Sequence, residues 1–275
     1  MADNAGRLWV VATPIGNLDD LSPRARDVLR GASLIAAEDT RHSAPLLAQA
    51  GAKARAVPLH EHNEQEQSAR VIEHLRDGGD VALISDAGTP LVSDPGYRLV
   101  RAARAAGFVV SPVPGPCAAI AALSAAGLPS DRFVFEGFLP AKAAARRERL
   151  GELAAEPRTL LFYESSHRIV ESLADMRAAF GDAREAVVAR ELTKLFETIL
   201  AAPLGELAAR VEADPNQQRG EFVVLVAGAA EADADATLAE GRRVFGLLRE
   251  ELPPARAAKL AAAITGAPRR QLYEG

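Results

Sequence analysis

VALISDAGTPLVSDPG, residues 81–96, is where the chain first declares its architecture. Val81–Ile84 is too short for a helix and too uniformly apolar for a strand with one wet face. It reads as a strand buried on both sides, as in a parallel sheet. The turn that follows carries Asp86 at the strand's carboxyl end and Asp94 before Pro95, where a helix cap is expected. Helical periodicity flanks the strand on both sides, over Glu64–Asp77 and Tyr97–Ala106. Gly78-Gly79 and Gly107 follow these helices, where a left-handed C-cap is expected.

The alternation continues outward. Strands are predicted at Leu8–Ala12, Leu34–Ala37, Ala54–Leu59 and Val109–Val113, and helices at Pro23–Arg30 and Ala44–Ala50. Ser22 before Pro23 fits an N-cap with proline at the first helical position. A second unit opens with the helix Cys117–Ala126. Its strands are predicted at Phe133–Phe138, Thr159–Tyr163, Ala186–Arg190, Glu197–Ala201 and Glu221–Val226. Its helices are predicted at Ala141–Ala154, Arg168–Phe180 and Leu204–Ala213. Short connections in this half favour a mixed sheet. An acidic linker, residues 229–236, precedes three predicted helices, Thr237–Glu251, Ala255–Ile264 and Arg269–Tyr273. Gly266 between the last two allows a helix-turn-helix. Acidic and basic residues balance in this tail, so a helical cap competes with a nucleic-acid reader. The expected organisation is α/β: an N-terminal domain over 1–116 with a mostly parallel five-stranded sheet, a C-terminal mixed-sheet domain over 117–230, and a helical extension over 231–275.

Composition narrows the class. A chain of 275 residues with 48% hydrophobic and 25% charged residues is ordinary globular protein, long enough for two domains. No apolar run approaches the roughly 20 residues of a membrane span. The start, MADNAGR, does not read as a signal peptide. The single cysteine, Cys117, excludes an internal disulfide and suits a reducing, cytoplasmic setting. A formal net charge of −5 argues against non-specific nucleic-acid binding and leaves a local basic patch open.

Polar chemistry collects at the strand ends. Beyond the first three strands lie TPIGNLDDLS (Thr13–Ser22), EDTRH (Glu38–His42) and HEHNE (His60–Glu64), and beyond the fifth lies PGPCA (Pro114–Ala118). Ligands of open α/β sheets bind outside the carboxyl ends of the strands. Turn formation explains each segment alone but not Glu38, Asp39, Arg41 and His42 together. Gly16 lets backbone approach a ligand closely. The first loop matches neither GxGxxG nor GxxxxGK[ST], which argues against a nicotinamide oxidoreductase and a P-loop hydrolase. Asp86 suits a ligand amine or ribose hydroxyls. PGPCA opens a helix whose N–H groups suit a carboxylate or ribose oxygen. Cys117 lacks a base partner and reads as packing. His60 and His62 lie in one loop with no other His/Cys cluster, so no metal is expected and His62 and Asn63 are kept as substrate-facing. In ARELTKLFE (Ala189–Glu197), Arg190, Glu191, Lys194 and Glu197 form either a solvated charge run or an ion-pair network facing a cleft. Lys142, Arg146, Arg147 and Arg149 form either a solvated helix face or a phosphate contact.

The ordered series TPIGNL, AEDTR, SDAGTPLVSDPG, PGPCAAIAAL, YESSHR and ARELTK resembles the tetrapyrrole-methylase superfamily of methyltransferases, from about residue 7 to 228. The tail KLAAAITGAPRRQLYE (Lys259–Glu274) resembles the C-terminal helical domain of its ribosomal-RNA branch. The tetrapyrrole enzymes usually carry GxGPGD in the first loop; ATPIGN here favours the RNA branch. The resemblance implies two α/β domains, S-adenosyl-L-methionine in the cleft between them, and a homodimer. It implies 2′-O-methylation of a cytidine ribose in 16S rRNA near the decoding centre, with the 30S ribosomal subunit as partner and no membrane. By position, it implies cofactor contacts from Pro14, Asp86, Gly88, Thr89, Cys117, Ala118, Tyr163 and Phe222.

Such a transfer needs positioning and help in removing the hydroxyl proton. Glu38, Asp39, His42, His62, Glu191 and Lys194 are the candidates, with Glu191 or Lys194 nearest the proton and Arg41 orienting phosphate or ribose. His62, Asn63, Arg146, Arg147 and Arg168 are the candidate RNA contacts. A small-molecule methyltransferase and a non-catalytic RNA-binding assembly factor are the competing expectations.

Overall fold

Alternating short apolar runs and helices become two sheets. The structure, a computed structural model, describes residues 5–60, 62–230 and 234–273. The first sheet contains β1 (Leu8–Val11), β2 (Leu34–Ala37), β3 (Arg55–Pro58), β4 (Val81–Ile84) and β5 (Val110–Val113). Its order is β3-β2-β4-β1-β5, and every pairing is parallel. All four residues of β4 are buried, as a uniformly apolar strand covered on both faces should be.

Helices α1 (Pro23–Gly31) and α2 (Thr40–Ala50) cover one face of this sheet, packing Leu29 and Leu47 against Ile35 and Ile84. On the other face, α3 (Glu64–Arg76) and α4 (Tyr97–Ala105) pack Val71, Leu75 and Leu99 against Leu83. β1 and β4 are neighbours, but the chain leaves them in opposite directions, to β2 and β5. That reversal opens a crevice at their carboxyl ends. Thr13 and Gly88 pin its floor by exchanging backbone hydrogen bonds of 2.8 and 3.1 Å.

The capping chemistry at α1 is as expected: Ser22 Oγ accepts from the Ala25 N–H at 3.1 Å. α2 differs. It begins at Thr40, four residues before the predicted start, because the Asp39 side chain caps it and accepts from the Arg41 N–H at 2.8 Å. Pro45 is tolerated inside this helix.

The second sheet contains β6 (Phe133–Phe138), β7 (Thr159–Ser165), β8 (Glu185–Arg190), β9 (Thr198–Pro203) and β10 (Glu221–Val226). Its order is β6-β7-β10-β8-β9; β6 and β7 run parallel and the other pairings are antiparallel. One face packs on α6 (Ala143–Glu152), α7 (Ile169–Phe180) and α8 (Leu204–Ala213), through Leu150, Leu173, Met176 and Leu207. The other face is covered by α5 (Ala118–Ala126), whose Ala119, Ala122 and Leu123 sit on Leu161, Val187, Val223 and Leu225.

Both sheets belong to one compact unit, Met1–Ala154 with Arg158–Ala227. The other unit, Ala155–Pro157 with Gly228–Gly275, holds α9 (Ala234–Arg249), α10 (Pro254–Thr265) and a short 3₁₀ turn, Arg269–Tyr273. Its core is Phe245, Ala257, Ala258, Ala261, Ala267 and Leu272. Gly266 ends α10 in the left-handed conformation that glycine favours. α9 starts at Ala234, inside the expected linker, and residues 231–233 of that linker lie outside the described residues.

Candidate active site

The turn after β4 is bent through unusual backbone. Leu91 and Ser93 have φ of 73° and 67° without being glycine. Such residues cost about 1–3 kcal/mol each and persist where the surroundings impose them. Gly137 in β6 makes room for this turn, since a Cβ there would lie 2.9 Å from Ser93 Oγ. Asp94 therefore does not cap α4. The cap comes from Glu64 on α3, a buried carboxylate whose Oε1 accepts from the N–H groups of Gly96 (3.1 Å), Arg98 (2.7 Å) and Leu99 (3.4 Å). Asp94 is free to face a cavity.

That cavity has a volume of about 530 Å³, within the usual range of small-molecule sites. The first sheet contributes Ile15, Glu38, Asp86–Thr89 and Val92–Asp94. The start of α5 contributes Cys117 and Ala118. The second sheet contributes Phe138, Tyr163–His167, Ala189, Leu192 and Gly220–Val223. Thr89 Oγ1 donates to the Pro116 carbonyl at 2.9 Å, tying the β4 and β5 turns together. Tyr163 accepts from the Ala119 N–H at 3.2 Å and packs edge-on to Phe135 and Phe138. Burial, then the neighbouring Cys117, pushes the Tyr163 phenol well above its ordinary range, so it stays protonated.

One wall is acidic. Asp86 Oδ1 accepts from the Asp39 N–H at 3.0 Å, and Glu38 Oε2 accepts from the Asp86 N–H at 3.4 Å. Burial raises the Glu38 carboxyl and the charge of Asp86 adds to this, against the Asp86 N–H. Burial also pushes Asp94 up to about 6, helped by the charges of Glu38 and Asp86 and opposed by Ser85. Carboxylates in this state favour a cationic ligand that restores their charge. Gly88, at φ 83°, lets backbone reach the cavity floor. A ligand with an ammonium or sulfonium centre, a ribose and a flat base fits this acidic wall, glycine floor and aromatic side.

The loop after β8 forms the rim. Lys194 Nζ pairs with Glu191 at 2.8 Å and Glu221 at 2.9 Å. Partial burial works against the Glu191 charge, but Lys194 and the Glu221 N–H hold its carboxyl below the ordinary range. Gly16 is where the two halves touch: a Cβ there would lie 2.4 Å from Lys194 Cγ and 2.9 Å from Thr193 Oγ1. Of the four charges expected to form an ion-pair network, only Glu191 and Lys194 pair with each other, and Glu221 joins them. Arg190 bonds carbonyls and Thr198 Oγ1, and Glu197 accepts from the Thr193 N–H.

The structure brings Asp86, Gly88, Thr89, Cys117, Ala118, Tyr163 and Phe222 to the cavity wall. Pro14 is corrected: it is buried, and Ile15 lines the cavity instead. Glu191 and Lys194 stand at the rim beside Glu221. Asp39 is the half-buried N-cap of α2, lowered below the carboxylate range by the Arg41 N–H and guanidinium, and Arg41 points outward with its side chain 92% exposed.

Arg146 is also corrected. Its side chain is 2% exposed and bonds Asp175 at 2.7 Å and Glu171 at 3.3 Å, so it holds α6 to α7 and does not face RNA. Arg147 is the exposed member of the pair. Arg168 is committed inward, to the buried Glu164 at 2.8 Å and the Leu139 carbonyl at 3.1 Å. The Asn63 amide is consumed locally, accepting from the His60 N–H and donating to the Pro58 carbonyl. His62 remains exposed and borders a second depression. Sequence reasoning missed Asp94 and Phe138 as lining residues. A cap preference hid the first, and no local signal marks the second.

With its crevice at a strand-order reversal and its second, mixed sheet closing over it, the chain belongs to the tetrapyrrole (corrin/porphyrin) methylases, whose family model matches residues 7–208. Residues 228–274 match the RsmI C-terminal HTH domain. The chain is similar to ribosomal RNA small subunit methyltransferase I of Xylella fastidiosa (strain Temecula1), 62% identical over 270 residues, 98% of each chain. The Pseudomonas aeruginosa protein of the same name is 61% identical over 98% of this chain and 96% of its own. Among solved structures, the methyltransferase CobJ superposes with a TM-score of 0.61 at 24% identity, covering 82% of this chain and 95% of its own. Uroporphyrin-III C-methyltransferase from Thermus thermophilus, complexed with S-adenosyl homocysteine, gives 0.55 at 22% identity, covering 80% and 97%. At these identities the structural likeness speaks for the fold.

Proposed function

We propose that this protein is an S-adenosyl-L-methionine-dependent ribosomal RNA methyltransferase that modifies the 2′ hydroxyl of a cytidine ribose in 16S rRNA, near the decoding centre of the small subunit. The observation that carries the reading is the union, in one chain, of a methylase fold with a matching C-terminal HTH domain. Near-full-length similarity to curated small-subunit rRNA methyltransferases supports it. The working parts are residues 1–116, 117–230 and 231–275, in a cytoplasmic homodimer that acts on the 30S subunit; the motif resemblance supports this arrangement.

When bound, S-adenosyl-L-methionine supplies an electrophilic methyl group on a sulfonium centre. Asp86, Gly88, Thr89, Cys117, Ala118, Tyr163 and Phe222 hold it, with Ile15 in place of Pro14. The acidic wall offsets its positive charge, and Phe138, Tyr163 and Phe222 form the apolar side. Lys194 bridges Glu191 and Glu221 at the rim and so fixes the loop that borders the cleft. Glu191 is a poor base, because its charge is already satisfied by Lys194. Asp39 and Arg41 lie at the mouth, and His62 and Arg147 are the exposed candidates for RNA.

The test is transfer of tritium from labelled S-adenosyl-L-methionine to 30S subunits lacking the modification, followed by nucleoside mass spectrometry. The expected product is 2′-O-methylcytidine. A methylated base, or no transfer to RNA, overturns the specificity. Calorimetry checks the cofactor separately: Asp86→Ala is expected to weaken binding at least about 10-fold, the loss of one charge-assisted contact. Unchanged affinity would refute the cofactor assignment.

A further inference from the structure

Asp94 lines two cavities at once. One is the cleft described above. The other is an open depression of about 440 Å³, bordered by His62, Glu64, Asp94, Pro95, Gly96, Tyr97 and Arg98. Among their lining residues the two share only Asp94.

The depression is furnished for a nucleotide. Tyr97 is 63% exposed, an aromatic ring without a cover. Arg98 is exposed, and its guanidinium has no ion-pair partner among the described residues. His62 is exposed on the opposite border. The N–H groups of α4 do not attract an anion here, because Glu64 already occupies three of them. Any phosphate must therefore go to Arg98. Large aromatic rings are normally half-covered by protein, and one left open beside a free guanidinium offers a stacking surface next to a phosphate contact.

Resting on the rRNA-methyltransferase reading, we infer that this depression is the acceptor subsite. It takes a single unstacked nucleotide, with the base on Tyr97, the phosphate on Arg98 and the ribose hydroxyl at Asp94. In the transfer, the Asp94 carboxylate takes the hydroxyl proton as the ribose oxygen bonds to the methyl carbon. The carbon–sulfur bond breaks with its electron pair left on sulfur. A carboxylate with a pKa of about 6 is ionised at neutral pH and still a better base than an ordinary aspartate. The charged or titratable groups that line the cavities with it are Glu38, Asp86, Cys117, Tyr163, Glu164, His167 and Glu221 on the cleft side, and His62, Glu64, Tyr97 and Arg98 on the other.

Tyr97→Ala and Arg98→Ala, assayed with 30S subunits, are expected to raise KM and the filter-binding Kd about 10-fold each, with calorimetric affinity for S-adenosyl-L-methionine unchanged. Tyr97→Phe, which keeps the ring, should recover the affinity that Tyr97→Ala loses. Asp94→Asn should keep the KM for 30S subunits and lower kcat by roughly 100-fold or more. It should also abolish an acid limb near pH 6 that the wild type and His167→Gln both show. If both alanine variants stay within about twofold of wild type in KM and Kd, the subsite is wrong. If Asp94→Asn keeps its kcat or its acid limb, Asp94 is not the proton acceptor. Wild-type protein that transfers no methyl to rRNA overturns the underlying reading as well. Active wild type with indifferent variants overturns the inference alone.

Discussion

Two loops in this molecule pass through left-handed backbone at non-glycine residues, and they treat charge in opposite ways. The turn after β4, with Leu91 and Ser93 so bent, brings Asp86 and Asp94 toward Glu38, and none of the three has an ion-pair cation among the described residues. The loop after β8, with Glu191 and Thr193 so bent, satisfies its charges internally. Lys194 bridges Glu191 and Glu221, and the Thr193 N–H donates to Glu197 at 2.6 Å. Strain alone therefore does not mark the ligand side of a cleft. Strain with uncompensated charge does, because only a bound cation or a proton relieves it. The paired loop is scaffold for the unpaired one.

Removing the scaffold should have the largest effect. Arg190 is buried and donates to the Phe196 carbonyl (2.9 Å), the Arg219 carbonyl (3.2 Å) and Thr198 Oγ1 (3.2 Å). Arg190→Ala strands these acceptors and is expected to cost about 3 kcal/mol in urea unfolding. A loss below about 1 kcal/mol would mean that the β8 loop holds itself. Next comes the cap: Glu64→Ala exposes the first turn of α4 and should cost about 2 kcal/mol, with Glu64→Gln losing less because an acceptor remains. Equal losses for the two would point to packing, not capping.

Asp94→Asn sharpens the contrast by reversing sign. The folded carboxyl has its pKa raised to about 6, above the unfolded value, so the folded state binds a proton more tightly. Ionisation then costs stability above pH 6, and that cost disappears as pH falls below the unfolded pKa. The amide removes it. Asp94→Asn should be more stable than wild type by on the order of 1 kcal/mol near pH 8, after allowance for its solvent-facing side, and equal to it near pH 3. A destabilised variant near pH 8 would show that the Ser85 hydrogen bond outweighs the cost of burying the charge. Lost turnover with gained stability is the signature of a group kept for function.

The fold was largely legible in the sequence, because short apolar runs, C-terminal glycines and Ser22-Pro23 report backbone needs that are local. β2, β4, β6, β10 and α8 have the predicted bounds. The candidate site was legible where a residue follows a strand end, as Asp86 does, while Tyr163 came only through the motif resemblance. Where a role depends on a partner distant in sequence, local preference misled. Asp94 looks like a cap until Glu64, thirty-two residues away from Gly96, takes the task. Asn63 and Arg168 look available until the Pro58 and Leu139 carbonyls claim them.

The basic segment on α6 gives the smallest expected effect and separates two neighbours. Arg146 and Arg147 are adjacent in sequence, but the helix turns about 100° between them. One guanidinium enters the protein while the other stays 62% exposed, 3.9 Å from Asp175. Arg147→Ala should change stability by no more than about 0.5 kcal/mol, because an exposed pair at that distance contributes little. If Arg147 touches a phosphate, the variant should also lower the slope of log affinity for 30S subunits against log salt by up to about one. An unchanged slope removes Arg147 from the RNA surface. The exposed Arg41, His62 and Arg98 are then left to carry the sequence-independent part of binding.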